Sequence, residues 1–66
     1  MNITSVDVTP YGQPDARLYI VATVEDGSQW CYSRPFALKD RAHAEYFAAL
    51  VRERGTVDAE NWKAPQ

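Results

Sequence analysis

The sequence predicts an α+β domain, a three-stranded antiparallel sheet (β-β-β-α) with one helix packed on one face. Three observations carry that class. Apolar and polar residues alternate within residues 2–9 and 17–25, the period of two that marks a half-buried strand. An Asp26-Gly27 pair then returns the chain into a third stretch, residues 28–35, which holds Trp30 and Tyr32. Beyond Leu38 the apolar spacing lengthens to that of a helix, over residues 40–54.

In the first strand, Val6 and Val8 alternate with Asp7 and Thr9, while Ile3 falls on the opposite parity. Either a bulge near Thr4 and Ser5 corrects the phase, or Ile3 packs elsewhere. Residues 10–16, Pro-Tyr-Gly-Gln-Pro-Asp-Ala, are dense in turn formers and read as a loop with Tyr11 at its tip. The second strand is the clearest. Leu18, Ile20, Ala22 and Val24 share the face expected to meet the core, and Arg17, Tyr19, Val21, Thr23 and Glu25 share the other. The third strand is expected to end at Pro35.

Two turns fit Glu25-Asp26-Gly27-Ser28, and they place the third strand oppositely. In a two-residue type I′ turn Glu25 pairs with Ser28, and Trp30 and Tyr32 join Tyr19 and Val21 on the outer face. In a three-residue loop with a G1 bulge Val24 pairs with Ser28, which sets Trp30 against Ala22 and Tyr32 against Ile20. The second register is favoured, because a domain this short needs both aromatics inside; each large side chain fully buried contributes roughly 1.5–3 kcal/mol.

The helix is expected to bury Ala44, Phe47, Leu50 and Val51, with His43 and Tyr46 at the margin of that stripe and Arg41, Glu45, Arg52 and Glu53 in solvent. Asp40 is the expected N-cap, its carboxylate accepting from the first turn. Arg52 and Arg54 suit the last turn, and Gly55 supplies the left-handed position that closes it. In the tail, residues 56–66, Asp58 to Trp62 reads as one capped turn that swings Trp62 onto the body, with the last residues from Lys63 frayed.

A chain of 66 residues is one small domain. Such a domain buries only about 60% of the surface its unfolded chain exposes. Its 45% hydrophobic and 12% aromatic content is that of a folded chain. With a single cysteine, Cys31, and a single histidine, His43, it has neither disulfide nor metal staple within the chain. Packing or a partner must supply the stability. A lone cysteine points to a reducing, cytoplasmic setting. No apolar run approaches the roughly 20 residues that span a bilayer, and no basic and apolar leader opens the chain, so a soluble protein without membrane partners is expected.

Seven Lys and Arg against nine Asp and Glu give a net charge of −2, which counts against a partner bound through its phosphates. No catalytic, metal-binding or cofactor-binding signature is present, so no enzyme is expected. His43 with Cys31 or Ser33 has the residue types of a nucleophile and base, but a marginal helix histidine is ordinarily structural. Cys31 has no CxxC partner, and Gly12 and Gly27 are turn glycines with no phosphate-cradling pattern. Asp58 and Glu60 are explained by capping and solvation. Arg34, Lys39 and Arg41 gather near the junction of third strand and helix, a candidate anion contact that Asp40 partly neutralises.

Phe36, followed by a short turn and the run Ala44-Glu45-Tyr46-Phe47, resembles the opening of the helix in the three-strand-plus-helix DNA-binding domain of tyrosine recombinases. That resemblance implies a sheet face that reads the major groove. In size, charge and architecture the chain also resembles the small accessory proteins of phages and mobile elements of the anti-CRISPR type. That second resemblance implies inhibition by occupying a site on a larger bacterial complex.

The expected function is therefore non-enzymatic protein binding, as a phage-type inhibitor of a bacterial defence complex that acts by occlusion. Tyr19, Val21 and Thr23 are the expected central contacts, with Glu25, Asp26 and Tyr11 at the rim. Alternatives are a nucleic-acid module using the sheet face with Arg34, Lys39 and Arg41, and a homodimer joined through an uncovered strand edge.

Overall fold

The computed structural model describes residues 2–12, 16–58 and 60–63. Among these residues four strands form one antiparallel sheet in sequence order: β1 (Ile3–Tyr11), β2 (Arg17–Val24), β3 (Gln29–Tyr32) and β4 (Trp62–Lys63). Among the described residues one α-helix, α1 (Arg41–Arg54), lies between β3 and β4 in the chain and packs on one face of the sheet. The class is α+β, as expected, with one strand more than expected.

The hairpin between β2 and β3 follows from Gly27. Its φ is 89°, a left-handed value that favours glycine. That conformation lets the Gly27 N–H donate to the Val24 carbonyl at 2.9 Å while the Val24 N–H donates to the Ser28 carbonyl, also at 2.9 Å. The loop is thus Glu25-Asp26-Gly27 with a G1 bulge, and Trp30 stands opposite Ala22. The favoured register is the observed one. Trp30 and Tyr32 face the helix.

At the start of β1 the register slips between Ile3 and Ser5, so that Ile3 pairs with Val24 and Ser5 with Thr23. This bulge returns Ile3 to the face shared by Val6 and Val8. β1 also runs two residues past the expected end, through Pro10 and Tyr11, which pair with Leu18 and Arg17. Pro10 is tolerated because β1 is an edge strand and a position facing outward needs no N–H. The expected loop keeps only its later part, of which residues 13–15 lie outside the described residues.

β3 ends at Tyr32, not at Pro35. Ser33 turns its N–H to the Asn61 carbonyl at 3.0 Å, and the chain rejoins β2 only where Phe36 and Leu18 exchange backbone bonds of 2.8 Å. Ser33 and Arg34 form the intervening bend, and Pro35 has no N–H to continue a ladder.

Two details of the helix differ from expectation. Asp40 occupies the N-cap position but its side chain caps nothing. It instead ends a 3₁₀ turn, Leu38–Asp40, closed by its own backbone N–H on the Ala37 carbonyl at 2.9 Å. Leu50 is 44% exposed, so the buried stripe is Ala44, Ala48 and Val51 with Phe47 half-buried. The alanines Ala44 and Ala48 take the face toward the sheet, and Leu50 and Tyr46 stand on the outward side, Tyr46 64% exposed. Gly55 closes the helix as expected, with φ at 80° and its N–H on the Val51 carbonyl at 2.9 Å.

The tail returns as expected but does more than cap. Asp58 Oδ1 accepts from the Glu60 and Asn61 N–H groups at 3.1 and 2.9 Å, an Asx-type turn that aims Trp62 inward. Trp62 then pairs with Tyr32, and Lys63 with Cys31, which makes β4 a strand where fraying was expected from Lys63. Residues 64–66 lie outside the described residues.

The core joins these pieces. Val6, Ile20, Ala22, Val24, Ala48, Val51, Val57 and Trp62 are buried together. Around them Tyr32 packs on Phe47 and Trp62 with ring centres 4.9 and 5.2 Å apart, and Phe36 meets Phe47 at 6.0 Å. Such tilted and edge-on aromatic pairs add to what their buried area contributes.

Candidate functional site, the open sheet face

Because α1 covers only one side of the sheet, the other side of β1, β2 and β3 has no described element across it. Alternation along the strands decides what it shows. In β2 the even positions are buried and the odd positions after Arg17, which are Tyr19, Val21 and Thr23, are half-buried. The latter three are the expected central contacts, and the structure sets them side by side on this face.

Cross-strand pairing extends the face into rows. Ser5, Thr23 and Gln29 form a polar row next to the hairpin loop. Asp7, Val21, Cys31 and Lys63 form the next row, which passes from a carboxylate through an apolar centre to an ammonium. Thr9 pairs with Tyr19, and Tyr11 with Arg17. Tyr11 is 75% exposed and meets Tyr19 edge-on, with ring centres 6.3 Å apart. This pair is an aromatic ridge at one end of the face.

Glu25 and Asp26, the expected rim residues, lie exposed in the hairpin loop at the other end. Hydrogen bonding from Ser28, by its side chain and by its backbone N–H at 2.8 Å, holds the Asp26 carboxyl below its ordinary value of 3.8. Asp26 is therefore a fixed negative charge. On the face itself burial pushes the Cys31 thiol up, with the positive charge of Lys63 opposing that shift only in part. The thiol is held protonated at neutral pH, and Sγ lies 3.5 Å from the Tyr32 carbonyl.

The remaining residues singled out in the sequence are placed elsewhere. Arg34 is exposed on the bend after β3, Lys39 in the 3₁₀ turn and Arg41 at the first residue of α1. Lys39 and Arg41 belong to the helix layer, so they do not join Tyr19, Val21 and Thr23 on one surface. His43 is also in that layer, edge-on to Phe36 at 5.5 Å, whereas Cys31 faces the opposite side of the sheet. A nucleophile and base are not brought together there. Among the described residues no group of three or more His, Cys, Asp or Glu is placed to hold a metal ion.

No family model, no curated protein and no solved structure matches the chain.

The two charged ends of the central row, Asp7 and Lys63, escaped the sequence reading. Asp7 had a usable signal, since it alternates with Val6 and Val8 and must therefore point away from the core. Lys63 had none, because β4 is too short to show a period. The open face offers an apolar centre, an aromatic ridge and opposite charges at its two margins, the mixture that interfaces use.

Proposed function

We propose that this protein is a non-enzymatic binding module that docks a protein partner on the open sheet face. The observation that carries the reading is the row Asp7, Val21, Cys31, Lys63 beside the Tyr11 and Tyr19 ridge, an aromatic and apolar surface that no described element covers. Burying Tyr19 and Val21 against a partner supplies hydrophobic stabilisation, and the charged margins set orientation. In its finer form the proposal is occlusion of a site on a bacterial defence complex by a phage-type inhibitor. Small size, a net charge of −2 and the α+β architecture support that form.

A pull-down from bacterial lysate with the wild-type chain and with the Tyr19→Ala, Thr23→Ala double variant tests the reading. Both residues lie outside the buried cluster, so the variant should stay folded by circular dichroism. Loss of the captured partner is expected, with a drop in affinity of about ten-fold or more for an aromatic at the centre of an interface. Retention of the partner by the folded double variant would sink the proposal. A salt titration separates the nucleic-acid alternative, because phosphate binding weakens steeply as salt rises.

A further inference from the structure

The outer edge of β1 is a second surface, and it does not depend on the reading of the open face. Val24 makes its backbone bonds toward β3, as the 2.9 Å bond to the Ser28 carbonyl shows, and Leu18 does the same with Phe36 at 2.8 Å. The two sides of an antiparallel strand alternate. Tyr19, Val21 and Thr23 therefore bond toward β1, where Thr9, Asp7 and Ser5 answer them. Val6 and Val8, one step out of phase, turn their N–H and C=O groups away from the sheet.

That edge is closed at both ends. At its start the Ile3 N–H donates to the Gly55 carbonyl at 2.8 Å and Asn2 bridges Thr56. At its far end Pro10 has no N–H to offer. Between them Arg52 Nη2 donates to the Val6 carbonyl at 2.9 Å, which leaves that oxygen one further lone pair. The Val6 N–H and both polar groups of Val8 point past it. They border a groove of about 350 Å³ between β1 and α1, lined by Val6, Asp7, Val8, Glu45, Ala48 and Arg52.

We propose that this window pairs with a short extended segment of a partner protein, laid antiparallel along β1. Backbone groups opposite Val6 and Val8 complete the hydrogen bonds, and their side chains lie along the groove between the exposed Glu45 and Arg52, with Ala48 buried beneath them. The residue between them falls opposite Asp7 on the open face, where the carboxylate selects lysine or arginine. A second copy of the chain fits less well. The register that matches Val6 to Val8 of the copy sets Asp7 against Asp7, and sliding it brings Pro10 or the Thr4 bulge into the ladder.

The test uses the full chain and two blocked peptides, Thr-Val-Lys-Val-Thr and the same sequence with Glu at its centre, followed by amide NMR and hydrogen exchange. Perturbation and slowed exchange centred on Val6 and Val8 are expected, with the lysine peptide bound about five-fold more tightly than the glutamate peptide. Asp7→Lys should reverse that preference and Asp7→Asn should abolish it; Asp7 is exposed, so both variants should fold. The inference is overturned by perturbations confined to other residues, by equal affinity for the two peptides, or by no binding at millimolar peptide. It is also overturned if the chain alone sediments as a dimer with Val6 and Val8 already protected, since a second copy is then the occupant.

Discussion

Gly27 decides which way a whole strand faces. Its backbone sits at a φ of 89°, and a Cβ built there meets nothing within 4 Å, so the site is intolerant for conformational reasons alone. Gly27→Ala should cost about 1–2 kcal/mol in a urea unfolding curve, the penalty for a side chain in the left-handed region, with no steric addition. Its neighbour Asp26 gives a complementary reading of the same loop. The folded carboxyl titrates below 3.8 because Ser28 hydrogen-bonds the charged form, so the contribution to folding is present above that value and fades as pH falls through the folded midpoint. A carboxyl NMR titration should place the Asp26 midpoint below 3.8 in the native protein, and Ser28→Ala should raise it. The register was legible in these residues because the turn chemistry of Glu25-Asp26-Gly27 and the need to bury Trp30 point the same way. Asp40 shows the opposite case. A capping residue type stands at the helix start, but the preceding 3₁₀ turn directs its backbone and leaves its carboxylate without a capping bond.

At the scale of elements, periodicity found what was long enough to have a period. β2 and α1 were legible nearly to their ends, and the bulge in β1 was legible as a parity fault at Ile3. Strand ends were not, because partners set them. β1 continues through Pro10 since its outward side needs no donor there, and β3 stops at Tyr32 since the chain bends at Ser33 and Arg34 before Pro35, which has no N–H for a ladder. β4 illustrates this most clearly, as a strand of two residues carries no alternation and exists only through its pairing with Cys31 and Tyr32. Its anchor is Trp62, 6% exposed and stacked edge-on with Tyr32. Trp62→Ala should therefore destabilise the fold by about 3–5 kcal/mol, measured by chemical denaturation, a large fraction of what a domain of this size possesses. A loss under about 1 kcal/mol would mean that β4 is an accessory to the sheet and not part of its stability.

For the molecule as a whole, one helix over one face of a sheet leaves the other face to be accounted for. The parity of β2 showed in advance which of its residues would lie there, and the structure adds their neighbours from the flanking strands. It also divides the candidate groups: Tyr19, Val21 and Thr23 share a surface, whereas Lys39 and Arg41 lie with the helix. That division could not be read from the chain alone, since it depends on how the segment from Ser33 to Asp40 crosses between layers. No helix of the described residues is long and apolar enough to cross a membrane. The two-layer arrangement also sorts the tryptophans. Trp30 and Trp62 both lie on the helix side, whereas Tyr11 and Tyr19 stand on the open side. Tryptophan emission therefore reports the integrity of the core, whereas the tyrosines are divided, with Tyr32 and Tyr46 in the helix layer and Tyr11 and Tyr19 on the open side. A tryptophan change on ligand binding would thus signal a disturbed core and not contact on the open face.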